Sequence, residues 1–178
     1  MRLQGLKAVV LLAPEFEDLE FWVPVMRLQE EGAQLVVAGA HSNENLTGKH
    51  GIPAKTDASF DSINTAEFDA VLVPGGWAPD KLRRYEHVKR ILKEMDQSGK
   101  VVGMICHAGL VGISAGIVGG HNATGSAGIK DDLINAGATW LDEPAFRSGN
   151  QVWGRVVADI PYYCRELVQA LLERKSKP

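Results

Sequence analysis

The stretch Val101-Val102-Gly103-Met104-Ile105-Cys106-His107-Ala108-Gly109 decides the fold. Its first five residues are apolar, rich in β-branched side chains and free of polar alternation. A central strand of a parallel sheet reads this way, because both of its faces are covered. Residues 110–117 are too rich in small side chains for a second strand and read as a tightly packed helix. Cys106 therefore falls at the turn between strand and helix, with Gly103 and Gly109 three residues away on either side. This is the spacing of a nucleophile elbow, where small neighbours let the chain turn sharply and leave the side chain above the sheet. A cysteine suits the place, since the thiolate is the reactive form and a helix N-terminus stabilises it. His107 follows directly as base or proton carrier near neutral pH. A free cysteine elsewhere is usually buried and inert; the strand-to-helix placement and the glycines favour a nucleophile here.

Upstream, residues 8–13, 34–40 and 69–73 read as further buried strands. The first runs into Pro14-Glu15-Phe16-Glu17-Asp18-Leu19-Glu20, an acidic turn that opens a helix. Acidic residues suit a first helical turn through the dipole. They also lie at a strand's carboxyl end, where ligands bind in open α/β sheets, so one of these carboxylates is placed to face Cys106. The helix continues through Phe21, Trp22, Val25, Met26 and Leu28 to Gly32, with Pro24 expected to bend or delay it. Residues 41–64 read as a hairpin or irregular excursion, and His41 and His50 within it lack metal-ligand spacing. After the third strand, Pro74-Gly75-Gly76-Trp77 offers backbone N–H groups for half of an oxyanion hole. A helix from Asp80 is expected to bury Leu82, Tyr85, Val88, Ile91, Leu92 and Met95 on one face. Beyond the elbow come a short edge strand or loop at 121–125, a short helix at 129–137, and a hairpin turning at Ser148-Gly149-Asn150. Asp159-Ile160-Pro161 opens a last helix, with Cys164 structural inside it and fraying from Arg174 to the end. Strands alternating with helices give a doubly wound α/β sandwich in one domain, residues 1–178.

The formal net charge of −3 offers no basic footprint for nucleic acid. No apolar run reaches membrane-spanning length, and residues 1–7 lack the layout of a signal peptide. Two cysteines make no disulfide framework, so a reduced, cytoplasmic protein is expected. Neither a P-loop nor a G-x-G-x-x-G pattern follows any strand, which argues against a nucleotide; no cofactor and no metal are expected.

Taken together, the acidic loop of residues 13–20, Thr47-Gly48-Lys49-His50-Gly51, Pro74-Gly75-Gly76 with Ala78-Pro79, Ile105-Cys106-His107, Ile113-Ser114-Ala115-Gly116 and residues 129–138 resemble the PfpI branch of the ThiJ/PfpI superfamily. The resemblance covers almost the whole chain in order. It implies a flavodoxin-like, class I glutamine-amidotransferase-like α/β/α sandwich with Cys106 as the nucleophile. Glu17 stands at the position matched to the family's carboxylate, which is expected to be protonated and to donate to the thiolate. Gly76 N–H and a backbone N–H after Cys106 would form the oxyanion pocket, and Gly75, Trp77, Ala108 and Ser126 are expected around it. The branch also implies a homo-oligomer, dimer or hexamer, in which a neighbour's carboxylate orients the histidine; that residue falls on Asp80, where Glu is the familiar one. Ser126 stands where the branch commonly has Tyr, and Ala108-Gly109 where it has Gly-Pro. The nucleophile is kept while the pocket wall is changed. The implied activities are peptidase, glyoxalase- or deglycase-like action on reactive carbonyls, isonitrile hydration, or a redox-sensing chaperone role. The expected substrate is a small carbonyl compound or a peptide. The chemistry would be attack of Cys106 on a carbonyl-like carbon, and the alternative is a stress protein that works by oxidation of Cys106.

Overall fold

A computed structural model describes residues 1–176. The chain runs β1 (Lys7–Leu11), α1 (Asp18–Glu30), β2 (Gln34–Gly39), β3 (Asn45–Thr47), β4 (Pro53–Lys55), β5 (Ala58–Ser59) and β6 (Ala70–Val73). It continues through α2 (Ala78–Leu82), α3 (Glu86–Gln97), β7 (Val101–Ile105), α4 (Gly109–Ala115), β8 (Asn122–Ala123), α5 (Lys130–Asn135) and β9 (Thr139–Trp140). It ends with β10 (Ala145–Ser148), β11 (Gln151–Gly154) and α6 (Ile160–Lys175). Seven strands form the central sheet in the order β10-β11-β7-β6-β1-β2-β5. All pairs in it are parallel except β10 with β11. β1 sits inside, with Val9 paired to Val36 on one side and Val71 on the other. Every residue of β6 and β7 is buried, as a strand covered on both faces must be.

The covering layers can be read from β7 itself. A Cβ on Gly103 would lie 2.5 Å from the Tyr163 hydroxyl of α6, whereas a Cβ on Gly112 of α4 would lie 2.8 Å from Met104 sulfur. Adjacent strand residues thus meet opposite layers. α1 packs on α6, and α3 packs on α4, which also meets α2 and α5. This is the three-layer α/β/α sandwich with a mostly parallel sheet that the sequence predicts. Among the described residues no helix is long and apolar enough to cross a membrane.

Three local expectations change. Pro24 does not delay α1; the helix begins at Asp18 and carries Pro24 buried in its middle, while Met26 is exposed. The helix expected from Asp80 is two helices, broken at Tyr85, whose backbone is extended. The Tyr85 ring leaves the sheet and lies on Phe60 at 5.2 Å, so the i, i+3 apolar spacing across the break does not mark one continuous face. The excursion of residues 41–64 contains a real antiparallel hairpin, β3 with β4. α6 stays helical to Lys175, and the rest of the fraying expected at the terminus falls on residues 177 and 178, outside the described ones.

Candidate active site

Cys106 adopts φ of +60°, a left-handed conformation that disfavours every side chain with a Cβ. β7 ends one residue before it, and a single 3₁₀ turn over Cys106–Ala108 leads into α4. The elbow is therefore present, with its nucleophile position strained as such turns are. What holds it is the loop after β6. A Cβ on Gly75 would stand 2.7 Å from Cys106 Cβ and 3.2 Å from its sulfur, so only glycine lets the two loops meet. Gly76, at φ of +76°, bridges antiparallel to Phe16, and its N–H and that of His107 favour the charged form of the Cys106 sulfur. These two donors stand where an oxyanion hole is wanted.

The carboxylate at the sulfur is Glu20. Its Oε2 accepts the Gly75 N–H at 2.8 Å and, like the Cys106 sulfur, packs against Gly75, while the buried Oε1 has no hydrogen-bond partner among the described residues. The assignment of Glu17 is corrected: Glu17 is the N-cap of α1, and its Oε2 accepts the Glu20 N–H at 2.9 Å. Three residues apart on a helix, both lie on the side facing the sheet's carboxyl edge, but capping turns Glu17 back onto the helix end. Its other oxygen lies 3.5 Å from His50 Nε2.

Burial, and then the nearby Glu17 charge, push the Glu20 carboxyl up to about 7. Burial, and then the charge and hydrogen bond of an ionised Glu20, push the Cys106 thiol up to about 12; the two N–H donors pull the other way. Above about 7 the pair therefore holds a single proton and below it two, because two anions in one dry place repel strongly. While Glu20 is protonated its O–H can donate to sulfur, and its effect on the thiolate reverses. His107 Nδ1 lies 3.3 Å from the sulfur. Burial, and then the Lys49 ammonium, hold the imidazole below its ordinary range, so it is neutral and able to accept a proton at neutral pH.

Lys49 is the residue the sequence reading passed over, although it lies in the quoted Thr47-Gly48-Lys49-His50-Gly51 motif. Buried Asp18 accepts the N–H groups of His50 and Ile52 at 2.8 Å each and so pins this loop. Burial opposes ionisation of Asp18, but those donors outweigh it and hold the carboxyl below its usual range. Lys49 N–H in turn bonds Phe16 carbonyl at 2.9 Å. Glu17, Asp18 and His50 also bring ligand atoms within 4.8 Å of one another. Asp18, however, spends both oxygens on the loop's backbone.

The remaining expected residues divide. Trp77 is 61% exposed, with its ring 6.2 Å from that of His107, and forms part of a cavity of about 550 Å³ with Gly76, Asp80, His107 and Leu110. Asp80 faces that cavity but pairs with Arg84 at 2.5 Å within its own chain. Ser126 N–H bonds the Cys106 carbonyl at 3.1 Å. A Cβ on Gly128 would lie 3.7 Å from His107 Nε2 and 3.8 Å from Ser126 Oγ, so the imidazole and this hydroxyl flank one spot. Ala108 is corrected: its side chain is fully buried beneath the elbow. Gly75 gives its N–H to Glu20 and so is a spacer and an anchor, not an oxyanion donor.

Residues 6–170 match the DJ-1/PfpI family. The deglycase PH1704 of Pyrococcus horikoshii is 43% identical over 166 residues, covering 93% of this chain and 99% of that protein. The putative cysteine protease YraA of Bacillus subtilis is 35% identical over 165 residues, covering 93% and 98%. Among solved structures, a two-domain protein from Anabaena variabilis with DJ-1/ThiJ/PfpI-like and ferritin-like domains superposes with a TM-score of 0.90 at 35% identity. The match covers 96% of this chain and 48% of that longer one.

Proposed function

Since the chain belongs to the DJ-1/PfpI family, we propose that it is a cysteine-dependent enzyme whose Cys106 attacks a carbonyl-like carbon. One observation carries the reading: a strained left-handed cysteine at a strand-to-helix elbow, with the His107 imidazole 3.3 Å from its sulfur and the buried Glu20 carboxyl packed beside it against Gly75. In the reaction the sulfur's electron pair forms a C–S bond and the carbonyl π pair moves to oxygen. That oxyanion takes the N–H groups of Gly76 and His107. Neutral His107 accepts the thiol proton and returns it, to the oxyanion of an aldehyde adduct or to a departing amine. The first course gives a thiohemiacetal and the second an acyl-enzyme that water cleaves. The names deglycase and putative cysteine protease carried by relatives support these two courses. We place the reaction in the cytoplasm, where thiols stay reduced. The working enzyme is a homo-oligomer in which Asp80 of a second copy orients His107.

The test is turnover of methylglyoxal and of peptide amides by the wild-type protein beside Cys106→Ala. Loss of all turnover in the variant is expected. Equal turnover in both would remove Cys106 from the chemistry. A wild type that turns over neither, yet gains one oxygen at Cys106 under peroxide, would replace the enzyme reading with the oxidation role.

A further inference from the structure

The cavity at His107 does not end the cleft. It is also lined by Glu15 and Lys81, and Lys81 lines a second cavity of about 380 Å³ as well. That second cavity shares His41, Phe60 and Tyr85 with a third of about 500 Å³. Three hollows with common walls thus make one furrow from His107, over Lys81, to Tyr85. The furrow crosses the carboxyl ends of β1 and β2, beside the point where the chain leaves β1 for β2 on one side and later returns to β6 on the other. Open α/β sheets bind ligands at such a switch point.

The middle hollow has a chemical character. Leu12, Leu46 and Phe60 are buried beneath it, and Tyr85, 40% exposed, packs against Phe60 with its ring tilted by 58°. Lys81 and Arg84 supply cations from one short helix and the residues just after it. Glu44 supplies a carboxylate with no side-chain partner among the described residues. Lys81 is held by the Glu15 carboxylate and donates to the Pro14 carbonyl at 3.3 Å. Glu15 itself is a non-glycine residue at φ of +63°, fixed by its N–H to Thr47 carbonyl and by Trp77 N–H to its own carbonyl, 2.9 Å each. Backbone strain of this kind is retained mainly at functional places. In the single chain the Arg84–Asp80 pair is largely solvent-exposed and the Lys81–Glu15 pair partly so, and such pairs are weak enough for an incoming carboxylate to exchange into.

We propose that the middle hollow is a subsite for the apolar, carboxylate-bearing part of an amino acid or short peptide, whose reactive carbonyl group reaches Cys106. The apolar side chain lies on Phe60 and Tyr85, and the carboxylate meets Lys81 and Arg84. Glu44 selects against a second acidic group. The inference rests on the cysteine-enzyme reading above, but its test does not.

Binding is measured by titration calorimetry on full-length Cys106→Ala protein, which does no covalent chemistry. The ligands are N-acetylphenylalanine, its carboxamide, and acetate. N-acetylphenylalanine should saturate the protein and bind roughly three- to fivefold tighter than the carboxamide, with acetate weakest. Arg84→Gln should erase the preference for acid over amide, and Tyr85→Ala should weaken both. Should Tyr85→Ala fail to fold by circular dichroism, the Arg84→Gln arm decides alone. Equal affinity for acid and amide, no saturation, or binding unchanged in Arg84→Gln would overturn the subsite. Turnover of methylglyoxal without this binding rejects the subsite only. Binding without any Cys106-dependent turnover rejects the enzyme reading only.

Discussion

Glu20 and Cys106 occupy a buried space that tolerates one negative charge far better than two, and their titrations follow from that. A carboxyl that ionises at about 7 when folded and near 4.5 when unfolded removes up to about 3 kcal/mol of stability once charged. The sign is fixed by the raised value: stability is full below about 4.5, declines as pH rises, and levels off above about 7. Across that window the urea midpoint of wild type should fall relative to that of Glu20→Gln; parallel curves would remove Glu20 as the cause. The same substitution leaves a donor that never becomes an anion. Cys106 should then titrate below the value of about 12 it has beside a charged Glu20, as read by thiolate absorbance. Glu17→Gln should instead lower the Glu20 titration, because it removes a neighbouring charge, and leave the Gly75 N–H on Glu20 in place. A Cys106 titration indifferent to Glu20→Gln would sink the pairing. Sequence placed a carboxylate from the acidic loop at the sulfur but named Glu17, and the structure puts Glu20 there. Capping is decided by the geometry of the helix end, and residues three apart share a face.

At the scale of elements, the elbow and the 47–52 loop behave differently. The elbow was legible because apolar run, small flanking residues and cysteine all agree on one local structure. Its strain gives a prediction: Cys106→Gly should be more stable than Cys106→Ala by about 1 kcal/mol, since only glycine is at ease at φ of +60°. Equal or reversed midpoints would mean that the turn relaxes in the variants. The loop was legible only as a motif. Its role depends on Asp18, distant in sequence, accepting two of its N–H groups. Asp18→Asn should loosen it and withdraw Lys49 from the site. The His107 titration followed by NMR should then move up toward its ordinary range, the direction set by removing a cation. A titration that stays put would mean that burial alone depresses it. The break at Tyr85 was hidden because its spacing fits an unbroken helix; only the Phe60 ring, brought in from another part of the chain, shows where that side chain goes.

For the whole molecule, exposed Trp77 and an Asp80 whose one side-chain partner among the described residues is Arg84 leave the rim of the site open toward a neighbour. In sizing columns the protein should therefore run larger than its 19.3 kDa monomer. A fully active monomer at micromolar concentration would take Asp80 out of the reaction. The sandwich itself was readable because unbroken apolar strands alternating with helices admit few other arrangements. The furrow was not, since its walls come from segments that only the folded sheet brings together. The strand pairing has a further consequence, in time. β1 must wait for β6, made much later in the chain, and β6 must align with β7 before Gly75 can press against Cys106. Long-range parallel pairing of this kind closes slowly. The thiol is thus shielded only when the last of these strands is home. The rate at which Cys106 escapes a pulse of alkylating reagent during refolding becomes a clock for completion of the sheet, read at a single sulfur atom.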